Sequence, residues 1–136
     1  MTTVEYRLTG AAEAKMFFNG GAKRVNSDLD KLVKHHGQLL RTKVMAKASG
    51  RPGPRAITGD YRRSWTQKHT GGGGTSRSEV GTNAVQGRRL EYGFHGTDSL
   101  GRTYNQPPFP HARPAFDEAA PGFISGGEAL IGRLLP

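Results

Sequence analysis

Apolar residues recur along this chain in two rhythms, and each predicts its own kind of element. Val4, Tyr6 and Leu8 alternate with Glu5 and Arg7, the period of a half-buried strand. Residues 11–18 can form a helical turn or two, closed by Gly20 and Gly21. The longest pattern comes next. Val25, Leu29, Leu32, Val33, His36, Leu39, Leu40 and Val44 recur at spacings of three and four, which lays an apolar stripe along a helix over 27–49. Asn26 or Ser27 can cap it, and Asp30 stands three residues after Ser27, close to a capping box. Asp28 and Asp30 then sit where the helix dipole favours acids, and Lys43 and Lys47 where it favours bases. Gly37 inside this helix costs about 1 kcal/mol against Ala, so tertiary packing must hold it. The stripe reads as core, with a groove for a partner helix as the alternative.

Beyond the helix the pattern breaks into shorter pieces. Residues 49–58, SGRPGPRAIT, make an extended basic loop. TGDYRRSW at 58–65 opens with turn chemistry and leads into a strand, where Arg63, Trp65, Gln67 and His69 alternate with Ser64, Thr66 and Lys68. Four glycines at 71–74 suit a hairpin connection, and 76–83 reads as the returning strand. RRLEYGF at 88–94 is a short helical turn ending at Gly93, and 96–110 is a polar loop containing proline. A helix resumes at 113–119 and Pro121 interrupts it. Phe123, Leu130, Ile131, Leu134 and Leu135 mark a last helical segment, weakened by Gly126 and Gly127. Trp65, Leu90 and Phe116 are expected in the core. The sum is an α+β fold, a small antiparallel β-sheet packed with one long helix and a C-terminal helix. It forms a single domain over 1–136, with flexible loops near 49–58, 71–74 and 96–110.

Composition sharpens this picture. Apolar residues are 34% of the chain, and there are 20 glycines and 8 prolines. A core this lean points to order gained from neighbouring subunits, with a plain small domain as the bland alternative. There is no cysteine, so neither a disulfide nor a Cys-ligated zinc is expected. The MTTVEYRLTG start has no basic or apolar leader region, so no secretory signal is expected. No apolar run reaches the roughly 18 residues a membrane helix needs.

Charge is one-sided. Residues 1–70 hold fourteen Lys/Arg against five Asp/Glu, while 71–136 hold six of each. From Lys31 to Lys68 there are ten bases and one acid, Asp60. Such a segment attracts phosphate or an acidic protein surface, unless it is simply a solvated face. Arg51, Arg55, Arg62, Arg63 and Lys68, mixed with Tyr61 and Trp65, also fit a surface for single-stranded nucleic acid, although no reader motif accompanies them.

Catalytic sets fail one after another. Of the five histidines, His35 and His36 are neighbours, so they point about 100° apart on a helix and cannot share a metal as an i, i+4 pair would. There is no HExxH, no GxSxG elbow and no P-loop. The acids are too scattered for a nuclease's metals. The chain is not expected to be an enzyme, and no metal or cofactor is expected.

Four motifs occur in order: TGDYRRSW at 58–65, EVGTNA at 79–84, RRLEYGFHG at 88–96 and PPFPHARPAFDEA at 107–119. In these the chain resembles the siphophage tail-component family of the neck gene cluster, whose members act in tail completion and head–tail joining. The motif residues Gly59, Trp65, Gly81, Glu91, Gly93, Arg113 and Pro114 have structural readings: Glu91 can pair with Arg113, Gly93 permits a left-handed helix end, and Pro114 sits at a first helical position. The resemblance implies a subunit of a head–tail connector or tail-completion ring, built from six copies, in the virion after synthesis in the host cytoplasm. Its partners would be further copies of itself, other neck and tail proteins and the DNA passing through the channel, with no membrane. Arg51, Arg55, Arg62 and Arg63 are the expected subunit or ring contacts. The alternative is a small basic protein that binds nucleic acid without sequence preference.

Overall fold

The computed structural model describes residues 4–9, 22–72 and 75–134. The two rhythms become β1 (Val4–Thr9) and the long helix α1 (Ala22–Lys47). The short helix α2 (Asp60–Arg63), β2 (Thr66–Gly72) and β3 (Thr75–Thr82) follow, then α3 (Gly87–Tyr92). Two small strands, β4 (Phe94–Thr97) and β5 (Thr103–Gln106), lead to the last helix, α4 (Ala112–Leu134). The expected turns at 11–18, the side chain of Val25, Gly73, Gly74 and Leu135 lie outside the described residues and side chains.

Strand β3 is the centre of the sheet, antiparallel to β1 on one side and β2 on the other. Helix α1 lies across its inner face, and α4 packs antiparallel on α1. The expected α+β fold is therefore the observed one. Burial alternates strictly along β3, with Ser76, Ser78, Val80 and Thr82 turned inward. Leu40 and Val44 of α1, Trp65, Val80, and Ala112, Ala115 and Ala119 of α4 form the main core. A smaller cluster joins Leu29 and Val33 to Leu130.

Several expectations need correction. Helix α1 starts five residues early, at Ala22, because Ala22, Lys23 and Arg24 are good helix formers. Asn26 and Ser27 are then inside it, and Asp30 faces the sheet instead of the helix end. Leu39 is 40% exposed, one position off the buried stripe of Leu29, Val33, Leu40 and Val44. Arg63 and Ser64 are not strand residues: the left-handed Gly59, at φ 80 and ψ 0, starts α2 instead. The loop at 96–110 holds β4 and β5, paired from Phe94↔Gln106 to Thr97↔Thr103. Trp65 is fully buried, but Leu90 and Phe116 are only half-buried.

Helix α4 runs unbroken through Pro121. Proline there removes one amide hydrogen bond on an exposed turn, while Phe123 and Leu130 beyond it still pack on α1. Gly126 does not merely weaken the helix. A Cβ there would sit 2.8 Å from Leu32 Cδ1, so the two helices approach closely because Gly126 is bare. Gly37 plays the same part on the other side of α1, where a Cβ would lie 2.6 Å from the Ser78 Cβ.

These contacts set opposite expectations for chemically identical changes. Gly37→Ala should destabilise by about 1–3 kcal/mol through overpacking against β3, despite Ala being the better helix former. Gly127→Ala, with nothing near the added carbon, should stabilise by about 0.5–1 kcal/mol. Thermal or urea unfolding of both variants reads the contrast. Trp65→Ala should cost about 3–5 kcal/mol and leave little folded protein.

Candidate functional site

Residues of three motifs, Tyr61, Trp65 and Glu91 among them, converge on the first turn of α4. A helix start leaves amides without intrahelical partners. Here the first intrahelical bond runs from Ala115 N–H to the His111 carbonyl at 3.2 Å, so His111 is the N-cap. Glu91, on α3 and 3% exposed, accepts the N–H groups of His111 and Ala112 on Oε2 and that of Arg113 on Oε1, each at 3.0 Å. The next residue, Pro114, has no N–H to satisfy. One buried carboxylate and one proline thus account for the whole orphan set, and the negative charge sits at the positive end of the helix dipole.

This arrangement corrects two sequence readings. Glu91 meets Arg113 through its backbone amide, while the Arg113 guanidinium turns to Asp117 at 3.0 Å. Pro114 stands two residues after Ala112, not at the first helical position. Gly93 does take a positive φ of 80, although its ψ of 171 is extended and not left-handed helical. A Cβ on Gly93 would lie 2.8 Å from the Gln106 carbonyl oxygen, so the chain passes itself closely at this point. Gly81 lies mid-sheet, opposite Glu5 on β1 and Thr66 on β2.

His111 ties α2 to the same point. It is fully buried. Its Nδ1 lies 2.8 Å from the Phe109 carbonyl and 3.0 Å from Glu91 Oε2, two acceptors, so Nδ1 carries the proton. Nε2 then accepts from the Tyr61 hydroxyl at 2.6 Å. Burial holds the imidazole below its usual range, against the Phe109 carbonyl and Glu91, which act to raise it. Burial also pushes the Tyr61 hydroxyl far up. The Trp65 ring completes the cluster, edge-on to both Tyr61 and His111.

Above this clamp lies a basic corner, where 49–58 and α2 fold over the end of α1. Arg51 stacks on Phe109, 3.8 Å from the ring centroid, and donates to the Gly53 carbonyl at 2.9 Å. Arg62 donates to Ser49 Oγ at 3.2 Å. Arg63 turns back to Asp60 at 2.6 Å. Arg55 is exposed and makes no hydrogen bond or ion pair among the described residues. A shallow groove of about 330 Å³ runs beside them, lined among others by Lys47, Ser49, Arg51, Pro52, Pro110 and Pro114. The ten bases do not form one surface. Arg41 turns in to the Trp65 carbonyl at 2.8 Å, and Lys47 and Lys43 meet Glu118 of α4 at 2.8 and 4.0 Å. Asp60 is therefore not their only acid.

A third constellation has the composition of a hydrolytic triad. His69 joins Asp30 at 2.8 Å and Ser78 Oγ at 2.7 Å. Ser78 is fully buried against α1, with its Oγ also 3.3 Å from the Val33 carbonyl, so no substrate carbonyl can reach it. With Ser76 on Asp30 and Gln67 on the Lys34 carbonyl, these groups bolt α1 to the sheet. The bonds from His69 and Ser76 hold the Asp30 carboxyl below the usual carboxylate range. Among the described residues no three His, Cys, Asp or Glu side chains gather as metal ligands. Sequence reading missed this network, because a strand's inner face gives no sign of which helix residue it will meet. It also missed the hairpin tip at Asp98, although Asp98 followed by Gly101 is a readable turn signal.

A family model described as "Bacteriophage HK97-gp10, putative tail-component" matches residues 18–93. That span holds α1, the basic corner, the sheet strands β2 and β3, and Glu91. No curated protein and no solved structure matches the chain.

Two outcomes test the clamp. Glu91→Ala would strand two buried amides and one part-buried amide, each buried one worth about 1–3 kcal/mol, and should unfold the chain or cost most of its stability in a urea titration. The second concerns acid. The folded state keeps His111 neutral below 6.5, its usual value, whereas the unfolded chain takes up the proton there, so lowering the pH favours unfolding. Asp30, whose folded value lies below 3.8, contributes stability above that value and loses it as the pH falls further. The melting temperature should therefore fall steadily once the pH drops below about 6.5. A flat profile down to about pH 5 would contradict the His111 assignment.

Proposed function

The chain belongs to the HK97-gp10-like family of bacteriophage tail components, and on that premise we propose that it is a ring subunit at the phage neck or the top of the tail. It joins head to tail, and it lines or seals the channel through which DNA passes. Six copies form the ring, as the family resemblance of its motifs implies. The chain acts by assembly and not by catalysis, and it works in the virion. Among the described residues no helix is long and apolar enough to cross a membrane.

The observation that carries this reading beyond family membership is how the acids are used. The chain has 20 Lys/Arg against 11 Asp/Glu. Asp30, Asp60, Glu91, Asp98, Asp117 and Glu118 are already engaged within the fold. Identical neighbours therefore have few free carboxylates to offer Arg51, Arg55 and Arg62. Within a ring, like charges repel over a Debye length of about 8 Å at physiological salt. Something negative from outside the ring must face this corner. Acidic faces of the adjoining rings fit better than DNA, because a channel gripping phosphates would slow ejection. The nucleic-acid-binding alternative predicts that the free chain binds DNA with a steep salt dependence.

Arg62→Glu combined with Arg63→Glu should block joining of filled heads to finished tails while leaving each half intact by electron microscopy. A variant that joins normally but leaks or mis-ejects DNA would move the basic corner into the channel lumen.

A further inference from the structure

The hairpin of β4 and β5 stands apart from the rest of the fold. Its strands pair with each other and make only marginal contact with any other described element. A lone two-stranded hairpin is marginal in water, so its order needs a local cause. At the tip, Asp98 accepts the N–H groups of Leu100 and Arg102, both at 2.9 Å. It also takes Arg102 Nε at 2.6 Å and the Tyr104 hydroxyl at 3.0 Å. At the base, Arg89 stacks on Phe94 at 3.9 Å, Tyr104 packs beside that ring at 6.1 Å, and Gln106 Nε2 reaches the Arg89 carbonyl at 3.4 Å. The hairpin is held in shape, yet it buries almost nothing.

What it exposes is apolar. Leu100 at the tip is 75% exposed and Tyr104 41%. Tyr92 and Val85, on the approach to it, are 64% and 73% exposed. Four of the seven large exposed apolar side chains among the described residues thus fall within 85–104, a concentration that marks an interaction surface.

We propose that this hairpin is a docking arm that seats on a second copy of this chain. Charge selects the occupant. The excess of nine positive charges sits wholly in residues 1–70, and 71–136 is balanced. Within the arm, Asp98 and Arg102 neutralise each other. Two copies repel through their basic halves, but a neutral, apolar-tipped arm approaches an identical chain without that penalty. An acidic partner gains nothing from the arm and everything from the basic corner. The two surfaces divide the work, with the arm for like copies and the corner for unlike ones.

The proposal rests on the ring reading above and extends it to the contact that closes the ring. The test is the mass of the purified full chain by size exclusion with light scattering, over a range of concentrations. Wild type should assemble, and Leu100→Asp should reduce the mass to that of one chain. Its melting temperature should stay unchanged, since Leu100 is 75% exposed. Asp98→Ala should do the same by loosening the tip. Unchanged assembly in Leu100→Asp would overturn the arm, and so would a wild type that stays a single chain at every concentration. Joining of heads to tails by the Arg62→Glu, Arg63→Glu variant, together with dissociation by Leu100→Asp, would overturn the basic-corner reading and leave the arm standing.

Discussion

A helix that begins inside a protein must find acceptors for its first amides, and this fold meets that demand with one side chain. Glu91 receives three N–H groups of α4, and Pro114 removes the fourth from the account. Much else depends on this. The start of α4 brings Ala112 and Ala115 into the main core. It fixes His111, and through His111 it fixes Tyr61 and the short helix carrying Arg62 and Arg63. Phe109, whose N–H reaches the Leu90 carbonyl at 2.7 Å, becomes the platform on which Arg51 rests. The basic corner is therefore built on a buried polar anchor.

A second polar anchor works along α1. The inner face of the sheet carries two serines as well as Val80, so a purely apolar contact with the helix was never available. Asp30, His69, Gln67 and Ser78 supply directed bonds instead. Gly37 lets the helix come close enough to make them. Polar bonds of this kind specify one register between helix and sheet, since a shift by one residue would leave the buried Ser78 without its partners. That helps a chain with 34% apolar residues reach a defined fold.

Charge and apolar exposure are unevenly spread along the sequence. The carboxylates of the fold are largely consumed in holding it together, and Arg51, Arg55 and Arg62 beyond the end of α1 make no ion pair among the described residues. Four of the seven large exposed apolar groups among the described residues fall within 85–104, on and before the hairpin.

The sequence by itself determined the elements whose signals are local and repeated. The alternation of β1, the three-and-four spacing of α1, and the turn chemistry before α2 all read correctly, as did the buried Trp65 and the α+β class. Local signals fail where a distant group supplies the missing energy. Pro121 and the glycines of α4 argue for a break, yet packing on Leu32 and Val33 of α1 holds the helix through them. Glu91 looked like a partner for the Arg113 side chain, because a sequence shows charges but not which backbone amides lack acceptors. Asp30 resembled a capping residue until the sheet brought His69 and Ser76 to it. Only the tertiary structure decided these roles, because the need for hydrogen-bond partners in a buried place arises only after the chain has folded over it.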